Sequence, residues 1–191
     1  MANIVKFVKK YLPKIQEAGI NIENDEFSII SGMKDFQDQG LFSSDNEKYL
    51  LENLFIFINS PDAFEMDFEW MDPDGEGYRF FIEHYLKDYF KVDAYFDDIK
   101  TYVSPEDKES GYGTCEISFK CNGKPYSFSA KFDNDWFDPQ FLHFLNTVFE
   151  DQKMEKRLIA FGGRNCYEVT YQTPKWVERF EALLPLDIEI I

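Results

Sequence analysis

The sequence predicts a single α+β domain over residues 1–191, with a mainly antiparallel sheet and helices packed against it. Apolar residues recur at helical spacing in some segments and alternate at period two in others. The pair Asn122-Gly123 separates two alternating segments, which is typical of a tight hairpin turn. Consecutive strands joined by tight turns favour an antiparallel sheet over a doubly wound parallel one. A hydrophobic content of 44% is enough for one sizeable core.

The helices come from the 3.6-residue spacing of apolar side chains. They are predicted over residues 3–18, 44–58 and 78–90, and onward from Asp138-Pro139 and Thr173-Pro174. Pro13 lies inside the first helix, where proline kinks or splits a helix. Ser44 is the predicted N-cap of the second helix, because Glu47 follows it three residues later as in a capping box. Residues 19–43 contain three glycines and predict no helix, only short strands.

The strands come from period-two alternation. They are predicted over residues 63–71, 92–96, 99–103, 115–121, 126–132, 158–161, 167–171 and 186–190. The strongest prediction is the hairpin, since Asn122-Gly123 supplies the positive φ angles of a type I′ turn. The last segment alternates again, so we expect it to pair as an edge strand.

The net charge of −16 is unevenly spread. Residues 25–112 hold 22 acidic and seven basic residues, and no base occurs between Lys48 and Arg79. Such a field repels nucleic acid and anionic membranes and attracts cations and basic proteins. The sequence therefore predicts a basic protein partner, no nucleic acid and no membrane. The alternative is that the acidity serves only solubility.

The most informative segment is Phe64–Trp70, which alternates apolar and acidic residues. In a strand, its aromatic and methionine side chains point to one face and its acids to the other. The predicted partner-binding residues are Glu65, Asp67, Glu69, Asp72, Asp74, Glu76 and Trp136. Trp136 is included because tryptophan on a loop is a common interface anchor, although it could equally pack under its own loop.

The turn that follows resembles a single calcium loop of the EF-hand type, from Asp72 to Glu83. The resemblance implies that the ligands would be Asp72, Asp74, Glu76, the carbonyl of Tyr78, and Glu83. Three features depart from that pattern: Glu76 stands where aspartate or asparagine is usual, Arg79 stands at an apolar position, and a strand rather than a helix leads into the loop. The alternative is an acidic turn that favours the start of a helix. The prediction is that no metal or other cofactor binds.

Other chemistry has less support in the sequence. Paired carboxylates could serve a hydrolase, but no pair can be selected from so many acids. Cys115 and Cys121 have the spacing of core residues, and Cys166 lies near a turn as the exposed thiol. No pattern typical of a cysteine enzyme surrounds them, so no catalytic residue is predicted. Three unpaired cysteines and no leader-like segment predict a cytoplasmic protein.

These observations predict a non-enzymatic binding protein. Small, acidic, aromatic-rich α+β chains without catalytic motifs are similar in general character to bacterial immunity proteins, which implies an inhibitor of a basic toxin. A related hypothesis is nucleic-acid mimicry, because carboxylates on one strand face repeat every ~6.6–7 Å. The alternatives are a calcium-binding or hydrolytic domain built on the same acids, and an oligomeric module joined through residues 188–191.

Overall fold

The computed structural model describes residues 3–41, 46–69, 71–163 and 166–191. The predicted class is confirmed: helices pack against two antiparallel sheets. The chain divides into two compact units, one formed by Met1–Met66 with Ile159–Ile190 and one by Asp67–Leu158 with Ile191. The prediction of one domain over the whole chain stays a prediction.

The described helices and strands follow one another in this order: α1 (Ile4–Glu17), α2 (Glu26–Asp38), α3 (Glu47–Ile58), β1 (Ala63–Asp67), α4 (Glu76–Phe80), a π-helix (Phe81–Tyr89), β2 (Phe96–Val103), α5 (Pro105–Ser110), β3 (Tyr112–Cys121), β4 (Lys124–Asp133), α6 (Gln140–Asp151), β5 (Arg157–Gly163), β6 (Cys166–Gln172), α7 (Pro174–Leu183) and β7 (Ile188–Ile190). No helix among the described residues is both long enough and apolar enough to cross a membrane.

The first unit contains a four-stranded sheet in the order β1-β6-β5-β7. Ile159 and Phe161 of β5 and Ala63 of β1 belong to a hydrophobic core that they share with α1, α2, α3 and α7. The C-terminal segment forms the edge strand that the sequence predicts, and it pairs antiparallel with β5. Helix α1 is continuous through Pro13, so this proline does not split the helix.

The absence of a helix from residues 19–43 was a wrong prediction, because α2 occupies Glu26–Asp38. Asp25 caps this helix by accepting a hydrogen bond from the backbone N–H of Ser28. Gly32 lies inside the helix rather than ending it. A Cβ atom at this position would stand 2.6 Å from Cδ1 of Phe57 on α3, so the glycine permits close packing of two helices.

The start of α3 also differs from the prediction. Its N-cap is Asn46, whose side chain accepts hydrogen bonds from the backbone N–H groups of Lys48 and Tyr49. The predicted cap, Ser44, lies outside the described residues. Asn46 can cap because asparagine, like serine, presents a short side-chain acceptor to the first turn.

The second unit contains a three-stranded antiparallel sheet in the order β2-β3-β4. The predicted hairpin is confirmed, with φ of 51° at Asn122 and 80° at Gly123. The alternating apolar residues of β3, including both cysteines, are buried as expected. Residues 92–95 are not a strand. Instead β2 runs from Phe96 through an irregularity near Asp98 to Val103.

Candidate protein-binding surface

The acidic segment keeps its alternation but leaves the sheet early. Strand β1 ends at Asp67, so the predicted strand over residues 63–71 is too long. Met66 and Phe68 are buried. The three acids of the segment, Glu65, Asp67 and Glu69, are exposed as predicted. Trp70 lies outside the described residues.

The chain leaves the sheet because it pairs with the loop that precedes α6. The backbone N–H of Phe137 donates to the carbonyl of Phe68 at 2.7 Å, and that of Met71 donates to the carbonyl of Asp135 at 2.7 Å. The ring of Trp136 stacks on Phe68, with 5.8 Å between the ring centroids. Phe68, Glu69 and Met71 therefore lie beside residues 135–137 in the second unit.

A buried tyrosine fixes the position of this loop through a hydrogen bond. Tyr78 is 1% exposed, and its hydroxyl oxygen accepts a hydrogen bond from the backbone N–H of Asp138 at 3.0 Å. Burial raises the pKa of the Tyr78 hydroxyl well above its usual range, so the group stays protonated. Phe137 packs on the same ring, with 4.7 Å between centroids. The half-buried Trp136 is thus presented by a fixed loop.

The loop adds acids that the sequence did not select. Asp135 is exposed beside Trp136. Asp138 accepts hydrogen bonds from the backbone N–H groups of Gln140 and Lys131. A recess of about 240 Å³ opens here, lined by Lys131, Asp133, Trp136, Asp138 and Pro139. In the sequence these acids belong to the segment Asn134–Asp138, and only Trp136 of that segment was predicted to bind a partner.

The turn after the acidic segment is organised by one carboxylate. The side chain of Asp72 accepts hydrogen bonds from the backbone N–H groups of Asp74, Glu76 and Gly77, at 2.8, 3.2 and 2.9 Å. The N–H groups of Glu76 and Gly77 belong to the first turn of α4, where the helix itself offers them no acceptor. A shallow recess of about 300 Å³ follows, lined by Asp72, Glu76, Gly77 and Phe80.

The other acids of this turn form separate contacts with protein groups. Asp74 pairs with Lys108. Glu76 accepts a hydrogen bond from Thr101 at 3.0 Å, and Arg79 bridges Glu76 and Glu83. Across the described parts of the chain, no three His, Cys, Asp or Glu side chains converge on one point. The geometry thus favours a helix-starting turn over the calcium loop that this segment resembles.

Six of the seven predicted binding residues lie in the second unit, and Glu65 lies in the first. No base pairs with Asp67, Glu69 or Asp135 among the residues that the structure describes. We call the acidic–aromatic surface the set Asp67, Glu69, Asp72, Asp135 and Trp136. It combines carboxylates without a basic partner and one half-buried ring.

The first unit contains a carboxylate that the sequence did not reveal. Glu168 on β6 is only 9% exposed. Burial, and next the charge of Glu65, raise the pKa of its carboxyl to about 8. Neither residue lines any of the recesses described above.

The two thiols that the structure describes are shielded from solvent. Cys115 and Cys121 are completely buried, as predicted for core residues. Burial raises the pKa of each thiol to about 11, so the nucleophilic thiolate is scarce at neutral pH. The predicted exposed thiol, Cys166, has a side chain outside the described part of the structure.

Comparison of the chain with protein-family models, with curated proteins and with solved structures found no match. The class that the fold and surface define is an α+β protein with an acidic, partly aromatic face.

Proposed function

We propose that this protein is a non-enzymatic binding protein that engages a basic protein partner through its acidic–aromatic surface. The observation that carries the proposal is the fixed loop before α6. Its hydrogen bonds to Phe68, Met71 and Tyr78 hold Trp136 next to Asp135 and opposite Glu69, whose backbone N–H donates to the side chain of Asp67. A surface in which a fixed ring adjoins unpaired charges is suited to recognition of another protein.

The charge of the surface indicates that its partner is positively charged. Unpaired carboxylates repel phosphates and anionic lipids and speed the approach of a positively charged protein. The half-buried ring of Trp136 can bury further area against that partner, and a basic side chain can also lie over its face. Arginine satisfies both requirements, because its guanidinium pairs with carboxylates and stacks on aromatic rings.

The finer proposal is an immunity-type inhibitor that blocks a basic toxin in the cytoplasm. It is supported by the net charge of −16, by two buried unpaired thiols and by the resemblance in general character to bacterial immunity proteins. Blocking needs only surface complementarity, so the inhibitor itself requires no catalytic group.

The test compares two variants with the same change in net charge. Glu69→Lys with Asp135→Lys reverses two unpaired acids of the acidic–aromatic surface. Glu150→Lys with Glu155→Lys reverses two exposed acids at the opposite end of α6, whose 12 residues span about 18 Å. Each purified protein is used to capture partners from cells of its source, at low and at high salt. The captured protein is then purified and titrated by calorimetry.

We expect the wild type and the α6 variant to retain one basic protein that high salt releases. The surface variant should bind that protein at least tenfold more weakly, because two attractive charges become repulsive. Equal binding by the two variants would show that only net charge matters, and would contradict a specific surface. Capture of no basic protein by the wild type would overturn the proposal.

A further inference from the structure

The recess beside Trp136 lies between the end of strand β4 and the loop that turns back along it. Phe132 of β4 is buried, so its neighbours Lys131 and Asp133 point to the opposite face of the sheet, which is open to solvent. The backbone N–H of Lys131 donates to Oδ2 of Asp138 at 2.8 Å, and that of Trp136 donates to the carbonyl of Asp133 at 2.9 Å. These bonds hold the loop against the strand, and both carboxylates line the same recess.

Both carboxylates can accept further hydrogen bonds. Asp138 accepts one bond on each oxygen, from the backbone N–H of Lys131 and from that of Gln140 at 3.0 Å. Among the residues that the structure describes, the side chain of Asp133 accepts from Nζ of Lys131 at 2.6 Å. A carboxylate has about four lone-pair sites, so each of these groups has acceptor capacity left for a bound donor.

The cation that Asp133 holds in the free protein can be exchanged. Lys131 and Asp133 are two residues apart on one strand, and the lysine side chain is 69% exposed. Water solvates both charges of such a pair, so breaking it costs little. An ammonium group is also a compact point charge, which lacks the planar, multiply donating shape of a guanidinium.

The size and charge of the recess indicate what it can hold. Its volume of about 240 Å³ is below the roughly 300–1,000 Å³ of small-molecule sites, and it suits a single side chain. Two carboxylates and one ammonium leave an excess of one negative charge, which favours a cation over a phosphate or carboxylate. The rings of Trp136 and Pro139 add flat apolar surface to the lining.

We propose that this recess binds one arginine side chain of the basic partner, and that the arginine displaces Lys131 from Asp133. A guanidinium can donate to Asp133 and Asp138 while its plane lies against the ring of Trp136. The displaced Lys131 ammonium returns to water. Lys131 thereby determines specificity, because only a cation that binds better than this lysine can enter. This inference rests on the proposed function, because the basic partner supplies the arginine.

The test titrates the full chain with α-N-acetylarginine amide and follows the indole N–H signal of Trp136 by NMR. Trp136→Phe identifies that signal among those of the three tryptophans. The uncharged analogue α-N-acetylcitrulline amide is the matched control ligand, and α-N-acetyllysine amide tests the preference for a guanidinium. We expect the arginine probe to shift the signal and to bind more tightly than the lysine probe, because it can both stack and donate to two carboxylates. The citrulline analogue should not shift the signal.

Removing the competing lysine gives the sharpest result. Lys131→Gln should tighten binding of the arginine probe about two- to fivefold, because an exposed ion pair no longer has to break. A gain in affinity cannot come from a misfolded variant. The matched control is Lys100→Gln on β2, since Lys100 is also 69% exposed and its Nζ lies 2.6 Å from Asp98. This control makes the same change in net charge and should leave binding at Trp136 unchanged.

A second change made in the Lys131→Gln protein tests the role of Asp133. Adding Asp133→Asn should reverse the gain, because the carboxylate that receives the arginine is gone, whereas adding Asp98→Asn should not. Equal binding of the arginine and citrulline probes, or equal effects of Lys131→Gln and Lys100→Gln, would overturn the site. A lysine probe that binds as tightly as the arginine probe would overturn the assignment to arginine.

Failure of this inference is distinguishable from failure of the proposed function. A partner that the wild type retains and the Glu69/Asp135 variant loses, together with a Trp136 signal that does not respond to arginine, overturns only the arginine site. An arginine titration that succeeds without any retained basic protein overturns only the proposed function.

Discussion

Glu168 is the residue whose surroundings differ most from what the nearby sequence indicates. Residues 167–171 alternate in a way that predicts one buried face and one open face. In the structure β6 lies between β1 and β5, and Glu168, Val169, Thr170 and Tyr171 are all buried. The sequence could not distinguish a central strand from an edge strand here, because the pairing of β6 with β1 joins segments about a hundred residues apart.

The proton on Glu168 makes stability depend on pH. In the folded protein its pKa is about 8, against 4.5 for an ordinary glutamate. Between about pH 5 and 8 the folded state therefore holds one more proton than the unfolded chain. The free energy of unfolding should fall as pH rises, by ~1.4 kcal/mol per pH unit from this group. Chemical denaturation across this range measures the slope.

The isosteric variant Glu168→Gln separates this contribution from other titrating groups. Glutamine stays neutral, so the variant should lose this slope and be more stable than the wild type at about pH 9. Glu189→Gln is the control, since its side chain is exposed and should leave the slope intact. Identical pH profiles for the wild type and Glu168→Gln would show that Glu168 is not protonated in the fold.

Tyr78 is the second residue with a specific prediction. Replacing it with phenylalanine keeps the packing against Phe137 but leaves the N–H of Asp138 without its acceptor. We expect Tyr78→Phe to lower the free energy of unfolding by about 1–3 kcal/mol, as for other buried groups left unpaired. Tyr102→Phe, at a 60% exposed tyrosine, should cost far less. Urea unfolding followed by tryptophan fluorescence measures both, and equal losses would contradict the anchoring role of Tyr78.

At the scale of elements, the sequence predicts those with strong local signals and misses those whose signal depends on a neighbour. The hairpin β3–β4 is correct because Asn122-Gly123 specifies its own turn. Helix α2 was missed because Gly32 looks like a breaker until Phe57 of α3 is placed against it. Strand β1 ends early because Phe68 pairs with Phe137, a contact between distant segments. Tertiary contact overrides local pattern in both failures.

Substitutions of Asp72, in the turn before α4, distinguish a helix-capping residue from a metal ligand. Asp72→Ala removes the acceptor for three backbone N–H groups and should cost about 0.5–2 kcal/mol. Asp72→Asn keeps an acceptor at the same place and should cost much less, although it removes the charge. Adding calcium at about 1 mM, the affinity of weak calcium modules, should leave the thermal midpoint of the wild type unchanged. A rise with calcium that Asp72→Asn abolishes would restore the calcium-loop interpretation.

At the scale of the whole molecule, charge composition and periodicity each predicted part of the candidate surface. The excess of acids over residues 25–112 indicated the region, and the period-two alternation of Phe64–Trp70 indicated Asp67 and Glu69 within it. Neither could identify Asp135, which reaches the same surface only through the hydrogen bonds of its loop to Phe68 and Met71. Nor could either separate Glu65, which belongs to the other compact unit. Composition indicates which charges a surface contains, whereas the choice of residues that share the surface depends on contacts between segments far apart in the sequence.

The net charge itself predicts how stability responds to salt. A chain at −16 repels itself, so added salt should raise the thermal midpoint by screening that repulsion. Reversing Glu69 and Asp135 to lysine reduces the net charge to −12 at a place where acids lack basic partners. If this change reduces the charge repulsion in the folded protein by about 1 kcal/mol, the thermal midpoint should rise by about 2–4 °C in dilute buffer. The rise should be smaller at about 0.2 M salt, because salt already screens the repulsion.

The Glu150/Glu155 variant changes the net charge equally, so it controls for a general effect. We expect a smaller rise from it, because Asp151, the acid next to Glu150, is already paired with Lys124. Calorimetric midpoints for the three proteins at two salt concentrations decide the question. A surface variant that is more stable yet binds the partner worse would show that these acids are kept for recognition at a cost in stability. Equal midpoints for both variants would instead assign the effect to net charge alone.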